Sequence, residues 1–218
     1  MSRRILALFA KAPVTGQVKT RLAPELSLEN AAALYEAMLL DILDQHATRR
    51  TCELALWFAP AEARGWFEQA APKGFRLLAQ VGPGLAERMA ELFRFHADEG
   101  FDRIVLRGTD SPTLPQARVD EAFEALEYAD LVLCPDRDGG FNLIGLRAPC
   151  DALFALELSH AGVLAQTLAK ARALGLRAEL LPAHHDVDTF ADFVVLSREL
   201  DARLTPRTLR LSRILLVR

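Results

Sequence analysis

Carboxylates recur in short polar segments that follow apolar runs, and their oxygens suit a divalent cation. Asp110 lies in the segment Gly-Thr-Asp-Ser-Pro (108–112), and Asp186 and Asp188 follow a later apolar run. Mg²⁺ and Mn²⁺ prefer oxygen ligands, and Mg²⁺ keeps several waters, so one or two carboxylates are enough to hold an ion on a diphosphate. If the two segments meet, they form such a site. Helix capping or an Asx turn explains Asp110 equally well, and Asp188 could equally cap a helix that begins near Thr189.

Basic side chains lie in another polar segment, directly after the first apolar run. Lys11, Lys19 and Arg21 flank Gly16 in the stretch 11–21. Glycine lets backbone N–H groups approach an anion, and lysine and arginine neutralise phosphate charge. The spacing matches neither a Walker loop nor a Gly-x-Gly-x-x-Gly fingerprint, so hydrolysis of a nucleotide by P-loop machinery is not supported. The segment indicates a phosphate site, with a solvated basic loop as the equal alternative.

Two other polar features have more ordinary explanations. The pair His184 and His185 suggests zinc, but adjacent side chains of an extended segment point to opposite sides and no cysteine is near in sequence, so structural zinc is disfavoured. The stretch Asp-Gly-Gly (138–140) is typical of a hairpin turn. Asn142 follows within an apolar run, where its carboxamide needs partners, which is compatible with a position that faces a ligand.

The elements that position these segments alternate between strands and helices. This alternation predicts a sheet covered on both faces by crossover helices, with ligands bound outside the carboxyl ends of the strands, where all the polar segments fall. Strands are expected over 5–10, 52–58, 75–79, 103–106, 131–134, 141–146 and 176–181. Helices are expected from the cap Ser27 through Leu43 and over 61–70, 85–98, 116–126, 163–174 and 189–200.

Composition limits the classes of protein that fit. The chain has 218 residues, 51% of them apolar and 25% charged, which predicts one domain over 1–218 with a core of its own and excludes a disordered protein. The basic, partly apolar stretch 201–218 is expected to be a tail docked on the domain or an arm in a homodimer. A formal charge of -3 argues against nucleic acid as a partner and favours small molecules.

The same reading predicts a cytoplasmic protein. No apolar run approaches the roughly 18 residues needed to cross a bilayer, and the first run is too short and too soon followed by charge for a signal peptide. Cys52, Cys134 and Cys150 are odd in number and widely separated, so they are interpreted as reduced core residues.

Five segments, in order along nearly the whole chain, resemble a bacterial family of glycosyltransferase-like proteins of the GT-A type, known as DUF2064 or the arsenosugar-biosynthesis-type transferases. Single motifs of this kind are weak, but their order makes the resemblance specific. Asn142 departs from the family pattern, where an aromatic residue is usual, and so do Ala86 and the stretch 158–160. The matching segments are 9–13 through 19–22, 80–82 with 87–89, 108–112, 138–140 through 145–146, and 186–189.

The resemblance implies a nucleotide-diphospho-sugar transferase fold, which is a three-layer α/β/α sandwich around a Rossmann-like, mostly parallel mixed sheet. By position, Asp110 and Asp188, with Asp186, would hold Mg²⁺ or Mn²⁺. Gly139, Gly140 and Asn142 would contact the acceptor or the sugar. The implied contacts to the nucleotide are Lys11, Lys19, Arg21, Gln80, Gly82, Arg88 and Asp110.

The leading functional hypothesis is metal-dependent glycosyl transfer from a nucleotide-diphospho-sugar to a small-molecule acceptor. A metal on the diphosphate and the basic segment would stabilise the departing nucleoside diphosphate. Asp110 would act through the metal, and Asp138 would be the general base of an inverting reaction.

The alternative is nucleotidyl transfer, in which a phosphorylated small molecule attacks a nucleoside triphosphate and pyrophosphate leaves. The stretch 134–142 is similar to the corresponding segment of phospholactate guanylyltransferases, and the basic segment suits a triphosphate equally well. A nucleotide-binding scaffold without turnover is a third reading, against which intact Asp110 and Asp188 argue.

Overall fold

One mixed sheet forms the centre of the computed structural model, which describes residues 2–155 and 162–217. Its strands, in chain order, are β1 (Arg4–Lys11), β2 (Glu53–Ala59), β3 (Phe75–Ala79), β4 (Arg103–Arg107), β5 (Leu131–Pro135), β6 (Phe141–Leu146) and β7 (Ala178–Leu180). Across the sheet these seven described strands lie in the order β3-β2-β1-β4-β6-β5-β7. Only β6 is antiparallel to its neighbours, β4 and β5.

Helices cover both faces because the central strands are apolar on both sides. Alternate residues of β1 face opposite layers, Leu6 and Leu8 towards one core and Ile5 and Ala7 towards the other, and all four are fully buried. The described helices are α1 (Leu28–Ala47), α2 (Arg64–Ala70), α3 (Leu85–Asp98), α4 (Ala117–Ala125), α5 (Val163–Ala173), α6 (Phe190–Glu199) and α7 (Pro206–Leu215). Helices α1, α2 and α4 contribute to the first core, and α3 and α5 to the second.

The three-layer α/β/α class predicted from the sequence is confirmed. Three elements, β3, α3 and β6, have the predicted bounds. The last strand is shorter than expected, and its pairing with β5 ends at Leu133 and Leu180. The stretch 158–160, where the chain departs from the family pattern, lies outside the described residues.

Helix α7 lies in the stretch expected only to be a tail or a dimer arm. Two of its three fully buried residues, Thr208 and Ser212, are polar, and the third is Leu215. It lies on α1, where Asp41 accepts hydrogen bonds from the Thr208 backbone N–H (2.8 Å) and hydroxyl (2.7 Å). A third apolar cluster joins α1, α6 and α7.

The sheet topology brings the polar segments to one edge. The loops that follow β1, β3, β4, β5 and β7 all leave from the carboxyl edge of the parallel strands, and the antiparallel β6 begins there. None of the described helices is both long and apolar enough to cross a membrane.

Candidate functional site

Lys19 lies between two of the predicted metal-binding carboxylates. Its Nζ is 2.5 Å from Asp110 Oδ1 and 3.0 Å from Asp188 Oδ1, and its side chain is only 5% exposed. Burial by itself lowers the pKa of Lys19, but the two carboxylates outweigh this effect and the pKa is raised, so the ammonium stays charged. The residue is left-handed (φ 48°, ψ 35°), a conformation that costs roughly 1–2 kcal/mol. For Lys19, the alternative of a solvated basic loop is wrong.

Two loops run side by side and so bring Asp110 and Asp188 together. The Val187 N–H donates to the Asp110 carbonyl (3.0 Å), and the Ser111 hydroxyl donates to the His185 carbonyl (2.7 Å). Neither aspartate caps a helix: α4 begins after Gln116, and α6 is capped by Thr189 in a capping box with Asp192. Both capping alternatives are therefore wrong, and both carboxylates face Lys19.

Tyr35 lies beneath this arrangement and contacts the loop that carries Asp110, a role that no local sequence pattern indicates. Its buried hydroxyl accepts a hydrogen bond from the Lys11 N–H (3.0 Å) and lies 3.0 Å from Thr109 Oγ1, which donates to the Phe9 carbonyl. Burial and the charge of Asp110 raise the pKa of Tyr35 to about 12, so the phenol stays neutral. A single tyrosine on an apolar helix face resembles a core residue, and only the tertiary contact shows that it ties β1 to the loop after β4.

An acidic cavity of about 100 Å³ lies beside the lysine. Asp136 Oδ1 accepts hydrogen bonds from the N–H groups of Arg137 (2.7 Å) and Asp186 (3.1 Å). Burial and a hydrogen bond with Asp138 raise the pKa of Asp136 to about 6. Burial and the charges of Asp110 and Asp136 raise the pKa of Asp186 well above its usual value. Within residues 2–155 and 162–217, Asp186 Oδ1 has no hydrogen-bond partner. The lining residues are Asp136, Arg137, Asp138, His185, Asp186, Asp188, Asp192 and Val195.

Arg107, at the end of β4, is a second residue that the sequence did not reveal. Its fully buried guanidinium lies 2.6 Å from His46 Nε2 and donates to the Ser111 carbonyl (2.6 Å). Burial lowers the pKa of Arg107 to about 10, and the charge of Asp186 partly offsets that effect. The guanidinium thus places positive charge near the acidic cavity and fixes the loop that carries Asp110.

The loop after β3 is fastened by the side chains predicted to contact the nucleotide. Gln80 Nε2 donates to the carbonyls of Ala10 (3.2 Å) and Trp57 (2.9 Å), and Arg88 Nε donates to the Gly82 carbonyl (2.8 Å). Gly82 has φ 130°, and a Cβ there would lie 3.1 Å from the Arg88 backbone nitrogen. In this structure Gln80 and Arg88 therefore position the loop backbone.

The remaining predicted residues lie at the same edge. Arg21 is 75% exposed and 3.8 Å from Asp188, and Lys11 is exposed at the end of β1. Exposed Asp138 accepts from the Gly140 N–H (3.1 Å) in the turn that also contains Gly139. Among the residues that the structure describes, neither amide atom of buried Asn142 has a hydrogen-bond partner.

The loops after β3 and β5 do not come together. Four strands separate β3 from β5, so these loops are roughly 24 Å apart at ordinary strand spacing. Lys19 follows β1 and Asp110 follows β4, and both of these strands lie between β3 and β5.

The two adjacent histidines do not point to opposite sides as expected. The ring centroids of His184 and His185 are 4.8 Å apart and the ring planes differ by 31°. The expectation assumed an extended strand, but β7 ends at Leu180 and His184 forms only an isolated bridge with Asp136.

The cysteine interpretation needs a smaller correction. All three cysteines are free, but only Cys134 is fully buried, while Cys52 and Cys150 are partly exposed and pack at the margins of the cores.

The chain has a mostly parallel sheet with a lysine between two aspartates at its carboxyl edge. The proteins to which it is similar make it a transferase of the class that acts on nucleotides or nucleotide sugars. It belongs to the DUF2064 family, described as "uncharacterized protein conserved in bacteria", whose model matches residues 42–157. The family predicted from the sequence is therefore confirmed.

Three similar proteins support this placement. The chain is 34% identical to the 3-phospho-D-glycerate guanylyltransferase of Phenylobacterium zucineum (strain HLK1), over 88% of this chain and 89% of that protein. It is 32% identical to the 2-phospho-L-lactate guanylyltransferase of Methanothermobacter thermautotrophicus, but that match spans 59% of this chain and only 56% of the relative. A solved structure from Desulfovibrio desulfuricans G20, provisionally named a nucleotide-diphospho-sugar transferase, is 32% identical with a TM-score of 0.91, over 100% of this chain and 98% of that one.

Proposed function

We propose that this protein is a nucleotidyltransferase that joins a nucleoside triphosphate to a phosphorylated small molecule and releases pyrophosphate. The observation that carries the proposal is the convergence of Lys19, Asp110 and Asp188 at the carboxyl edge of the sheet. The two guanylyltransferases that the chain resembles support nucleotidyl transfer. This reaction is therefore favoured over glycosyl transfer, the leading hypothesis from the sequence.

The residues at this edge fit a divalent cation of the Mg²⁺ or Mn²⁺ type. Asp110 and Asp188 offer hard oxygen ligands, and the buried Asp186 Oδ1 has no hydrogen-bond partner in the described part of the chain. These carboxylates would repel a bound triphosphate unless a positive charge lay between the carboxylates and the phosphates. When bound, the cation would neutralise the phosphate oxygens and the charge that develops on the leaving pyrophosphate.

The chain's own cations would act on the same charge. The acceptor's phosphate oxygen would attack the α-phosphorus, the bond from that phosphorus to the bridging oxygen would break, and pyrophosphate would leave with the electron pair. Lys19, whose ammonium stays charged, would stabilise the leaving group, with Arg21 and Lys11 at the exposed rim. The second pKa of a phosphate monoester is about 6, so at neutral pH the acceptor's phosphate is already largely a dianion. Its oxygen can therefore attack without a general base. Asp138 therefore has no proton to remove in this reaction.

The acceptor would lie near the turn between β5 and β6. Asn142 is 3% exposed, and neither of its amide atoms has a hydrogen-bond partner among the described residues, so a polar group of the acceptor would satisfy it. Gly139 and Gly140 themselves add no side chain to this turn. We propose a small phosphorylated carboxylic acid, because the names of both guanylyltransferase relatives specify such an acceptor.

Glycosyl transfer is the second candidate, since the name of the solved structure from Desulfovibrio desulfuricans G20 favours it. In that reaction exposed Asp138 would serve as the general base, and the leaving group would be a nucleoside diphosphate.

Product analysis separates the two reactions. The protein is incubated with Mg²⁺ or Mn²⁺, each of the common nucleoside triphosphates, and 3-phospho-D-glycerate or 2-phospho-L-lactate, and pyrophosphate is measured by a pyrophosphatase-coupled assay with phosphorus NMR of the adduct. Parallel reactions contain nucleotide sugars and test for a released nucleoside diphosphate. We expect pyrophosphate only when triphosphate and acceptor are both present, with GTP preferred. Diphosphate release from a nucleotide sugar, without pyrophosphate from any triphosphate, would reverse the assignment.

A further inference from the structure

Two histidines and a glutamate converge beside the acidic cavity, outside the set of residues assigned to the nucleotide. His184 and His185 follow β7, and Glu199 is the last residue of α6. One donor atom from each of the three lies within 4.8 Å of the others. His185 Nε2 and Glu199 Oε2 are already 3.4 Å apart.

His185 is the buried member of this cluster, and its ring nitrogens are available to bind a metal ion. The residue is 6% exposed, yet neither ring nitrogen makes a hydrogen bond within the described part of the chain. Buried polar groups in proteins are normally hydrogen-bonded or bound to a metal. His184 Nε2, in contrast, lies 3.2 Å from Thr113 Oγ1, which is also 3.3 Å from Glu199 Oε2.

We propose that His184, His185 and Glu199 form a binding site for a transition-metal ion, with Zn²⁺ as the best fit. Two imidazoles and one carboxylate are a ligand set for zinc, whereas Mg²⁺ prefers oxygen alone. Tetrahedral bonds of roughly 2.0–2.2 Å require donor atoms roughly 3.3–3.6 Å apart. The pair from His185 and Glu199 meets that separation, and small side-chain rotations bring in His184.

The surroundings complete the site. Glu199 is exposed, which gives an ion a route from solvent, and water or the Thr113 hydroxyl supplies the fourth ligand. The ion would tie the end of α6 to the loop that carries Asp186 and Asp188, and so hold these carboxylates in place. It differs in ligand chemistry from the cation proposed for Asp110 and Asp188.

Metal titration of the untagged, chelator-treated full chain tests the proposal without any measurement of activity. Co²⁺ is the spectroscopic probe, because four-coordinate Co²⁺ has strong visible absorption bands, and Zn²⁺ is then titrated in competition. We expect one equivalent of Co²⁺ with a four-coordinate spectrum, displaced by one equivalent of Zn²⁺. Absence of stoichiometric binding would overturn the proposal, and it would leave the proposed reaction untouched.

Variants locate the ion. Glu199→Gln and His185→Gln should each weaken Zn²⁺ binding at least about 10-fold, whereas Glu124→Gln, an exposed glutamate on α4, and Asp110→Asn should not change it. Glu199 is exposed, so its variant keeps the result interpretable if replacement of buried His185 prevents folding. Equal affinity of the wild type and Glu199→Gln, or loss of binding in Asp110→Asn, would place the ion elsewhere and contradict the proposal.

Discussion

Lys19 and its two carboxylates combine three features that each raise the free energy of the fold on their own and that offset one another in part when they occur together. A buried ammonium must be paired, a left-handed lysine is strained, and two adjacent carboxylates repel each other. Each carboxylate pairs with the ammonium, and the fold holds the residue in its strained conformation. Strain retained at a charged cluster by the surrounding structure is typical of a functional position.

Replacement of Lys19 by alanine should weaken nucleotide binding by about 1.5–3 kcal/mol, the value of a charge-assisted contact to phosphate. The same variant should bind Mn²⁺ alone more tightly, because the ammonium no longer competes for Asp110 and Asp188. Isothermal titration with each ligand measures both effects, with exposed Lys73→Ala as the matched control. Nucleotide affinity equal to that of the wild type would show that Lys19 has only a structural role.

Replacement of Asp110 by asparagine tests the cation assignment directly. The side chain is 43% exposed, so the fold should persist, but the loss of a charged oxygen ligand should abolish the part of nucleotide binding that depends on Mn²⁺. Affinity is measured with and without Mn²⁺, next to Asp98→Asn, which removes an exposed aspartate of α3. If the Mn²⁺ dependence survives in Asp110→Asn, the metal does not bind there.

At the scale of elements, the site depends on contacts between loops of two strands that are not neighbours in the sheet. The loop after β4 carries Asp110, the loop after β7 carries Asp186 and Asp188, and β6 and β5 lie between their strands. Backbone and side-chain hydrogen bonds hold these loops side by side, so the carboxylates meet although the strands do not.

Ser111 makes one of those bonds, and Ser111→Ala should lower the free energy of unfolding by about 1–3 kcal/mol, because the buried His185 carbonyl loses its donor. Metal-dependent nucleotide binding should weaken as well, since Asp186 and Asp188 are no longer held against Asp110. Urea unfolding and titration give the two values. The control is Ser212→Ala, which removes a similarly buried hydroxyl that donates to the Leu209 carbonyl of its own helix, α7, and should leave nucleotide affinity unchanged. Equal effects of both variants on affinity would argue against a link between the loops.

Elements bounded by strong local signals could be predicted closely. Helix α3 begins after a Gly-Pro-Gly stretch and ends before Gly100, and its predicted and observed bounds agree. Helix α7 is harder to predict, because two of its three fully buried residues are polar and one of them, Thr208, is held by Asp41 of a distant helix.

The same limit applies to the site. The alternation of strands and helices was enough to predict that the polar segments lie at the carboxyl edge of the sheet. The left-handed conformation of Lys19 and the roles of Tyr35 and Arg107 arise from contacts between residues far apart in sequence, which no local pattern encodes. The prediction that His184 and His185 point to opposite sides is wrong, because alternation of side chains holds only in extended strands and β7 ends at Leu180.

Across the whole molecule, apolar cores pack on both faces of the sheet. Beneath the site, buried polar and charged side chains connect the sheet to a helix layer. His46 on α1 and Arg107 on β4 form the clearest link, with 2.6 Å between their nitrogens. Arg107 can only donate, so His46 must be neutral and accept through Nε2. Burial and the neighbouring Arg107 hold the pKa of His46 well below its usual value.

This depressed pKa predicts that the protein loses stability as the pH falls below about 6.5. Below that pH an unfolded His46 takes up a proton that the folded residue excludes, so protonation favours unfolding by up to about 1.4 kcal/mol per pH unit. His46→Gln keeps an acceptor for Arg107 but does not titrate, so its free energy of unfolding should fall less steeply with decreasing pH than that of the wild type. The slope should not vanish, because burial also lowers the pKa of His96.

Urea unfolding across this pH range measures both slopes, and His46→Ala, which loses the acceptor, should be destabilised at every pH. Parallel curves for the wild type and His46→Gln would show that the charge state of His46 does not govern acid stability.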